Sequence, residues 1–422
     1  MKKMIKNIGN FGMNIRSSFF PKSSKKFGEV KGVKIAVGKA NIYYKDRYDL
    51  ILVQLSKGTR AAGLFTTSAT CSPTVRWNRK IIDKGIARGL VVNSGNANTF
   101  TGKQGEVAIE NITKYASKLL KCKQSEILIC STGVIGEKFP DRKVIKGLEN
   151  IYLKSESTNW LVAAKAIMTT DTVPKITTRT AQIGKTKVKI TGIAKGSGMV
   201  APNMATMLAF IFTDAKIQNH LLKSLLFVEN RESFNSITID GDTSTNDSVI
   251  FFSTGKANKH SSIIRVSDKL LSDFRLKFQE VMTDLATQIV SDGEGASKLI
   301  FIKVIGAVTK KSAKSVGLEI ANSPLVKTAF AGEDPNWGRI VMAIGKSNEP
   351  VNINKLKIKI GDQLVTKRGS LNPAYEEEKA KKYLKNKKIK ILIDLGVGSR
   401  ESTITTCDLT KKYIDINTDY RS

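Results

Sequence analysis

The sequence runs to 422 residues and 46.3 kDa, with 41% hydrophobic, 25% charged and 7% aromatic residues, enough apolar material for one large core or two ordinary ones. That balance excludes disorder as the default state; 32 Gly against 9 Pro excludes a collagenous or low-complexity chain; and the longest nearly apolar run, Met204 to Phe212, is too short to span a bilayer. The net charge of +32 would attract polyanions, but its excess is mostly Lys scattered along the chain, unlike the stripe of Arg, Lys and aromatics that marks a nucleic-acid reader.

Residues 1–28 carry many Lys, one Arg and no acid, and lack the apolar core of a secretion signal. They read as a flexible basic extension of a cytoplasmic protein, with a mitochondrial presequence as the alternative. Next, Asp49 to Leu55 and Gly89 to Asn93 are β-branched and Leu-rich runs ending at turn residues, as buried strands do. Gly105 to Leu120 spaces Val107, Ile109, Ile112, Tyr115 and Leu119 as an amphipathic helix. Glu126 to Cys130 makes a third strand that runs into Ser131-Thr132-Gly133, expected as a turn at a strand end. In the second half, Leu270, Phe274, Phe278, Val281, Leu285 and Ile289 mark one face of a helix from about Ser267 to Val290, with Asp268 suiting its dipole. Leu299 to Val308 reads as a strand, Lys310 to Ala321 as a helix and Arg339 to Ile344 as a further strand, and near the C-terminus Ile414 and Ile416 suit anchoring of the tail as a strand. The class is mixed α/β, and no repeat, linker or charge block divides the chain.

Several chemistries are excluded by residue type. The two histidines, His220 and His260, sit in no HExxH setting and are too few for a three-histidine metal site. Cys71, Cys122, Cys130 and Cys407 form no CxxC pair, which fits a reducing compartment. Gly184-Lys185-Thr186 lacks the glycine of a phosphate loop, since Arg179 stands in its place. Gly196 to Ala201 matches only the loosest dinucleotide pattern and is followed by Pro202. What remains is Lys195 to Ala215, KGSGMVAPNMATMLAFIFTDA, in which a glycine-rich approach and a polar Pro-Asn precede one threonine, Thr206, at the head of an apolar run. On composition Thr206 is an ordinary strand residue. A threonine whose preceding peptide bond is cut, however, gains an α-amine of pKa near 7.7–8.0 that can take its hydroxyl proton, which answers the shortage of histidine bases.

That stretch closely resembles the signature of the ornithine acetyltransferase family, the glutamate N-acetyltransferases of arginine biosynthesis, whose precursors cleave themselves between Ala and Thr. GVKIAVGKANIYYKDRYDLILV, RAAGLFTT, VVNSGNANTFTG, CSTGVIG, AIMTTDTVPK, SDGEGASK, GEDPNWGRI and INTDYRS resemble further family blocks in family order, from about residue 28 to the C-terminus. The resemblance implies a nucleophile at Thr206 and a scissile Ala205–Thr206 bond. It implies an oxyanion hole at Thr132 and Gly133, where a hydroxyl and a backbone N–H can meet a developing negative charge. It implies substrate contacts at Thr169 (with Thr170 as the alternative), Lys195, Thr206, Glu294, Asn417 and Ser422. Polar and charged types of this kind suit an N-acetylated amino acid. Two features depart from the family: the basic extension with Lys34 after it, and Ser422 where threonine is common.

The expected reaction is acetyl transfer from N-acetylornithine to glutamate through an acetyl-Thr206 intermediate, with no metal or bound cofactor. Acetyl-CoA is a co-substrate in some members, and the sequence does not separate these. The expected fold is an α/β sandwich with paired β-sheets between helical layers. It would be built jointly by two cleavage products, residues 29–205 behind the extension and 206–422, with two copies of each assembling and with neither nucleic acid nor membrane as partner. Two rivals remain. An N-terminal-nucleophile aminopeptidase would share the cleavage but pass its acyl group to water, and a nucleic-acid-binding protein would use the charge.

Overall fold

The computed structural model describes residues 27–152, 159–201 and 207–419. In the first half the strands are β1 (Val33–Gly38), β2 (Leu50–Leu55), β3 (Arg60–Phe65), β4 (Gly89–Asn96), β5 (Ile127–Val134), β6 (Lys175–Ile183) and β7 (Thr186–Lys195). Then come β8 (Leu208–Thr213), β9 (Ser248–Ser253), β10 (Leu299–Ala307), β11 (Lys357–Ile360), β12 (Gln363–Leu364), the hairpin β13 (Thr366–Lys367) and β14 (Ser370–Leu371), β15 (Lys388–Asp394) and β16 (Arg400–Cys407). The helices are α1 (Pro73–Ile82), α2 (Gly102–Leu119), α3 (Asp141–Tyr152), α4 (Trp160–Ala166), α5 (Asn219–Glu232), α6 (Ser272–Ser291), α7 (Lys310–Asn322), α8 (Pro324–Ala331), α9 (Trp337–Lys346), α10 (Glu377–Leu384) and α11 (Lys411–Asp419).

Two sheets face one another. The first has the order β1-β2-β4-β5 and the second β3-β9-β8-β7-β6. Alternation decides which residues meet. Ile51, Val53, Leu90, Val92 and Leu128 of the first sheet share one core with Ile193, Phe210, Phe212, Ile250 and Phe252 of the second. Phe212 stacks on Phe252 with ring centroids 5.0 Å apart. The opposite face of the first sheet, with Leu52, Val91 and Ile129, buries Ile109, Ile112 and Ala116 of α2 and Val144 and Leu148 of α3. The opposite face of the second, with Ala209, Ile211 and Phe251, buries Leu222 and Leu225 of α5 and Phe278, Val281 and Leu285 of α6. Helix, sheet, sheet, helix is therefore the layer order, and each fully buried side chain of this size contributes about 1.5–3 kcal/mol over exposure. A third sheet, β12-β11-β15-β10-β16, packs with α7 and α9 around its own core. Among the described residues, no helix is long and apolar enough to cross a membrane.

Three expectations of element type are corrected, and one boundary. Arg339 to Ile344 is not a strand but the body of α9. Asn336 caps it by accepting the Arg339 N–H, and Ile340, Ala343 and Ile344, at helical spacing, are the buried positions. The apolar run there looked continuous because Val341 and Met342, which the helix leaves exposed, are apolar too. Ser131-Thr132-Gly133 is not a turn; β5 continues through it to Val134, with its register against β4 shifting at Asn96. Finally, the tail around Ile414 and Ile416 is the helix α11, with Ile414 62% exposed rather than anchoring a strand. The helix expected from Ser267 begins later, after a 3-10 turn at Lys269–Leu271 for which Asp268 accepts the Leu270 N–H.

The registers place one end of the sandwich as a site. Lys195, ending β7, lies opposite Leu208, beginning β8, which lies beside Ser248, beginning β9. The carboxyl ends of β4 and β5 carry Asn96 and Thr132-Gly133. Strand ends from both sheets, and the loops that follow them, line one cleft.

Candidate active site

The cleft is lined by Thr132 and Gly133 from β5, Thr169 and Thr170 before β6, Lys195 from β7, and Glu294 and Asn417 from the third-sheet side. Ala97, Ile135, Gly198, Met199 and the run Ser244 to Asn246 complete it. All the sequence-predicted site residues that the structure describes are thus brought together. Ala205, Thr206 and Ser422 lie outside the described residues.

Backbone geometry explains Gly133. Its φ of +131° lies where L side chains rarely go, and a Cβ there would press into Gly95 C and Asn96 N and lie 2.7 Å from Gly95 Cα. The neighbouring strand end is pinned by polar side chains. Asn246 Nδ2 donates to Ala97 O at 2.6 Å and to Ser131 O at 2.9 Å, and Ser131 Oγ donates to Asn93 Oδ1 at 2.6 Å. Buried amides and hydroxyls, not apolar packing, therefore fix the Thr132-Gly133 segment.

Behind the cleft runs a buried series of charges. Lys175 Nζ donates to Asp171 Oδ1 at 2.6 Å and Asp292 Oδ2 at 2.7 Å, with all three side chains inaccessible to solvent. Lys195 Nζ lies 3.8 Å from Asp171 Oδ2 and 3.5 Å from Thr132 Oγ1. Asp171 also accepts the N–H groups of Gly196 at 2.7 Å and Thr169 at 3.0 Å, so one carboxylate ties the Thr169 loop to the end of β7. Burial alone would raise the Asp171 carboxyl, but Lys175, Lys195 and these hydrogen bonds outweigh it and hold Asp171 well below the usual carboxylate range. Burial pushes the Lys195 ammonium below its ordinary value and Lys175 adds to the effect, while Asp171, Glu294 and Asp247 oppose it.

Thr170 Oγ1 is held by Ser197 Oγ at 2.7 Å, whereas Thr169 makes no such side-chain bond among the described residues. Glu294 is seated by its N–H on Ser197 O at 2.7 Å, and Asn417 Nδ2 donates to Glu294 Oε2 at 2.8 Å. Helical spacing lets α11 do this: Tyr413 and Asn417, four apart, reach Asp240 and Glu294 from one face, Tyr413 Oη donating to Asp240 Oδ2 at 3.3 Å. The last helix therefore closes one wall of the cleft.

Like Asp171 and Asp292, two further carboxylates escaped the sequence reading. Asp240 accepts the N–H groups of Met199 at 2.6 Å and Val200 at 2.8 Å, and Asp247 accepts that of Met207 at 2.7 Å, so the chain is gripped on both sides of residues 202–206. Asp247 Oδ2 is buried with no hydrogen-bond partner among the described residues. Burial raises this carboxyl well above its ordinary range, against the Met207 N–H bond and Lys195. The only sequence signal was position, since Asp247 ends the polar run Thr243 to Asp247 directly before a strand. His220 and His260 are absent from the cleft lining; they bond backbone groups of Ile264, and of Lys216 and Ser261.

Comparison with known proteins places the chain in a family. The family model described as the ArgJ family matches residues 34–422. The arginine biosynthesis bifunctional protein ArgJ of Bradyrhizobium diazoefficiens is 48% identical over 408 residues, covering 96% of this chain and 99% of that protein. The protein of the same name from Bartonella henselae is 47% identical over 406 residues, with the same shares covered. Among solved structures, that of arginine biosynthesis bifunctional protein ArgJ from Bacillus halodurans is 40% identical with a TM-score of 0.48, covering 50% of this chain and 98% of that one. On the match of the family model and these near-complete alignments, the chain belongs to the ArgJ family.

Proposed function

We propose that this chain is the ornithine acetyltransferase of arginine biosynthesis, passing the acetyl group of N-acetylornithine to glutamate and giving ornithine and N-acetylglutamate. The observation that carries the assignment is the near-full-length identity to ArgJ proteins, with the residues singled out by the resemblance, far apart in sequence, lining one cleft.

The chemistry follows from the residue types. Cleavage of the Ala205–Thr206 bond frees the Thr206 α-amine as base. As Thr206 Oγ bonds to the acetyl carbonyl carbon, its proton passes to that amine, and the carbonyl oxygen becomes an oxyanion. The Thr132 hydroxyl and the Gly133 N–H meet it. Collapse breaks the C–N bond, the proton goes to the departing ornithine nitrogen, and acetyl-Thr206 remains. The amine of glutamate attacks the ester, the C–O bond breaks, and Thr206 recovers its proton. Lys195, with Thr169 and Ser422, holds the substrate carboxylate, and Glu294, oriented by Asn417, receives the distal ammonium of ornithine. No metal or bound cofactor enters; acetyl-CoA is at most a second acetyl donor. The two cleavage products stay together and pair into a four-chain assembly in the cytoplasm.

Incubating the purified protein with N-acetylornithine and labelled glutamate should give N-acetylglutamate and ornithine in equal amounts, with the parallel double-reciprocal lines of a ping-pong route. Release of acetate without N-acetylglutamate would mark an amidohydrolase instead. Replacing Asn417 by Ala leaves Glu294 without its amide partner. Loss of a hydrogen bond to a charged group, about 1.5–3 kcal/mol, should raise the KM for N-acetylornithine roughly tenfold or more with a smaller change in kcat. An unchanged KM would remove Asn417 from the site.

A further inference from the structure

The buried charges behind the cleft alternate in sign: Asp292, Lys175, Asp171, Lys195, and then the oxygen of Thr132. Lys175 is shared by two carboxylates, so Asp292 takes part of its charge and Asp171 retains negative charge for Lys195. Nothing in the apolar core requires this series, and desolvating four charged groups is costly unless their geometry serves a purpose. Its end is informative. Thr132 has one hydroxyl proton and two lone pairs, and an ammonium 3.5 Å from Oγ1 draws a lone pair toward itself. The proton is then turned away from Lys195, toward the cleft that Thr132 lines.

We propose that Asp171 is a positioning residue for acetyl transfer, holding the Lys195 ammonium against Thr132 Oγ1 so that the Thr132 hydroxyl presents its proton to the oxyanion. This rests on the reading of Thr132 as an oxyanion donor. It differs from that reading in giving Lys195 a part in turnover as well as in substrate binding. The groups facing the Lys195 ammonium are Asp171 from the loop before β6, Lys175 from its start, Thr132 from β5, Asp247 before β9 and Glu294 after α6. Among the carboxylates of the described residues, only Asp171 is an ion-pair partner within 4 Å.

A double-mutant cycle on the full chain, with processing followed by intact mass, tests the coupling. Asp171→Asn should lower kcat about tenfold to a hundredfold, and adding it to Thr132→Ala should cost little beyond Thr132→Ala alone. Asp171→Asn should also move the alkaline limb of the kcat profile to lower pH by about one unit or more. Without Asp171, burial and Lys175 drive Lys195 to lose its proton earlier as pH rises. Losses that add, or a wild-type kcat with an unmoved limb, overturn the positioning role while leaving the oxyanion hole intact. A normal kcat in processed Thr132→Ala overturns the oxyanion reading and this proposal with it. Should Asp171→Asn fail to fold, Lys195→Met, which leaves Asp171 paired with Lys175, takes its place in the cycle. Additivity with Thr132→Ala there overturns the proposal equally.

Discussion

Purified protein should resolve by intact-mass analysis into two chains of about 22 and 24 kDa, dividing 46.3 kDa in the ratio of 205 to 217 residues, the second beginning Thr-Met-Leu-Ala. Thr206→Ala should remain one chain and lose transfer entirely, because attack on the scissile carbonyl and attack on the acetyl group both need the hydroxyl. Thr206→Ser should be cut and should retain part of the activity. The surroundings favour this outcome. Asp240 grips Met199 and Val200, Asp247 grips Met207, and the cleft lining contains no histidine to serve as an outside base. A soluble, fully active, uncut wild-type chain would defeat the assignment of Thr206. A Thr206→Ala protein that still transfers acetyl would defeat it independently of cleavage.

Legibility in the sequence followed burial. Strands with both faces covered show as apolar runs, Leu208 to Phe212 in β8 and Leu90 to Val92 in the first half of β4, and α2 and α6 announce themselves by periodicity. The reading failed where an apolar run was not evenly buried, as in α9, and where two isoleucines suggested a strand although Tyr413 and Asn417 set the helical face of α11. The site divided in the same way. Thr132, Lys195, Glu294 and Asn417 were reached through resemblance of whole blocks, which preserves position without explaining it. Asp171, Lys175, Asp292, Asp240 and Asp247 were passed over because a charged residue in a sequence reads as solvated surface, and only the fold reveals that Asp240 is half-buried and the other four buried. Hydrogen bonding across 117 positions, as between Lys175 and Asp292, leaves no periodic trace.

Gly133 has little room for change. Alanine there must adopt a φ near +131°, and its Cβ would strike the backbone of Gly95 and Asn96, a segment held by the Asn93 amide donating to Asn96 O and the Asn246 amide donating to Ala97 O. Strain and overpacking each cost about 1–3 kcal/mol, so Gly133→Ala should lower stability by on the order of 3 kcal/mol in chemical denaturation. The protein can relieve that cost only by moving β5 away from β4, which carries the Gly133 N–H out of line with the oxyanion. The folded fraction should therefore retain substrate binding but lose at least about a hundredfold in kcat, as expected when a donor acts on charge that exists only in the transition state. The proposed cleavage at Thr206 would pass through an oxyanion as well, and slower cutting in Gly133→Ala would show that the two reactions share this donor. A stable Gly133→Ala enzyme with normal kcat would return the glycine to a purely conformational role and leave Thr132 as the sole donor from β5.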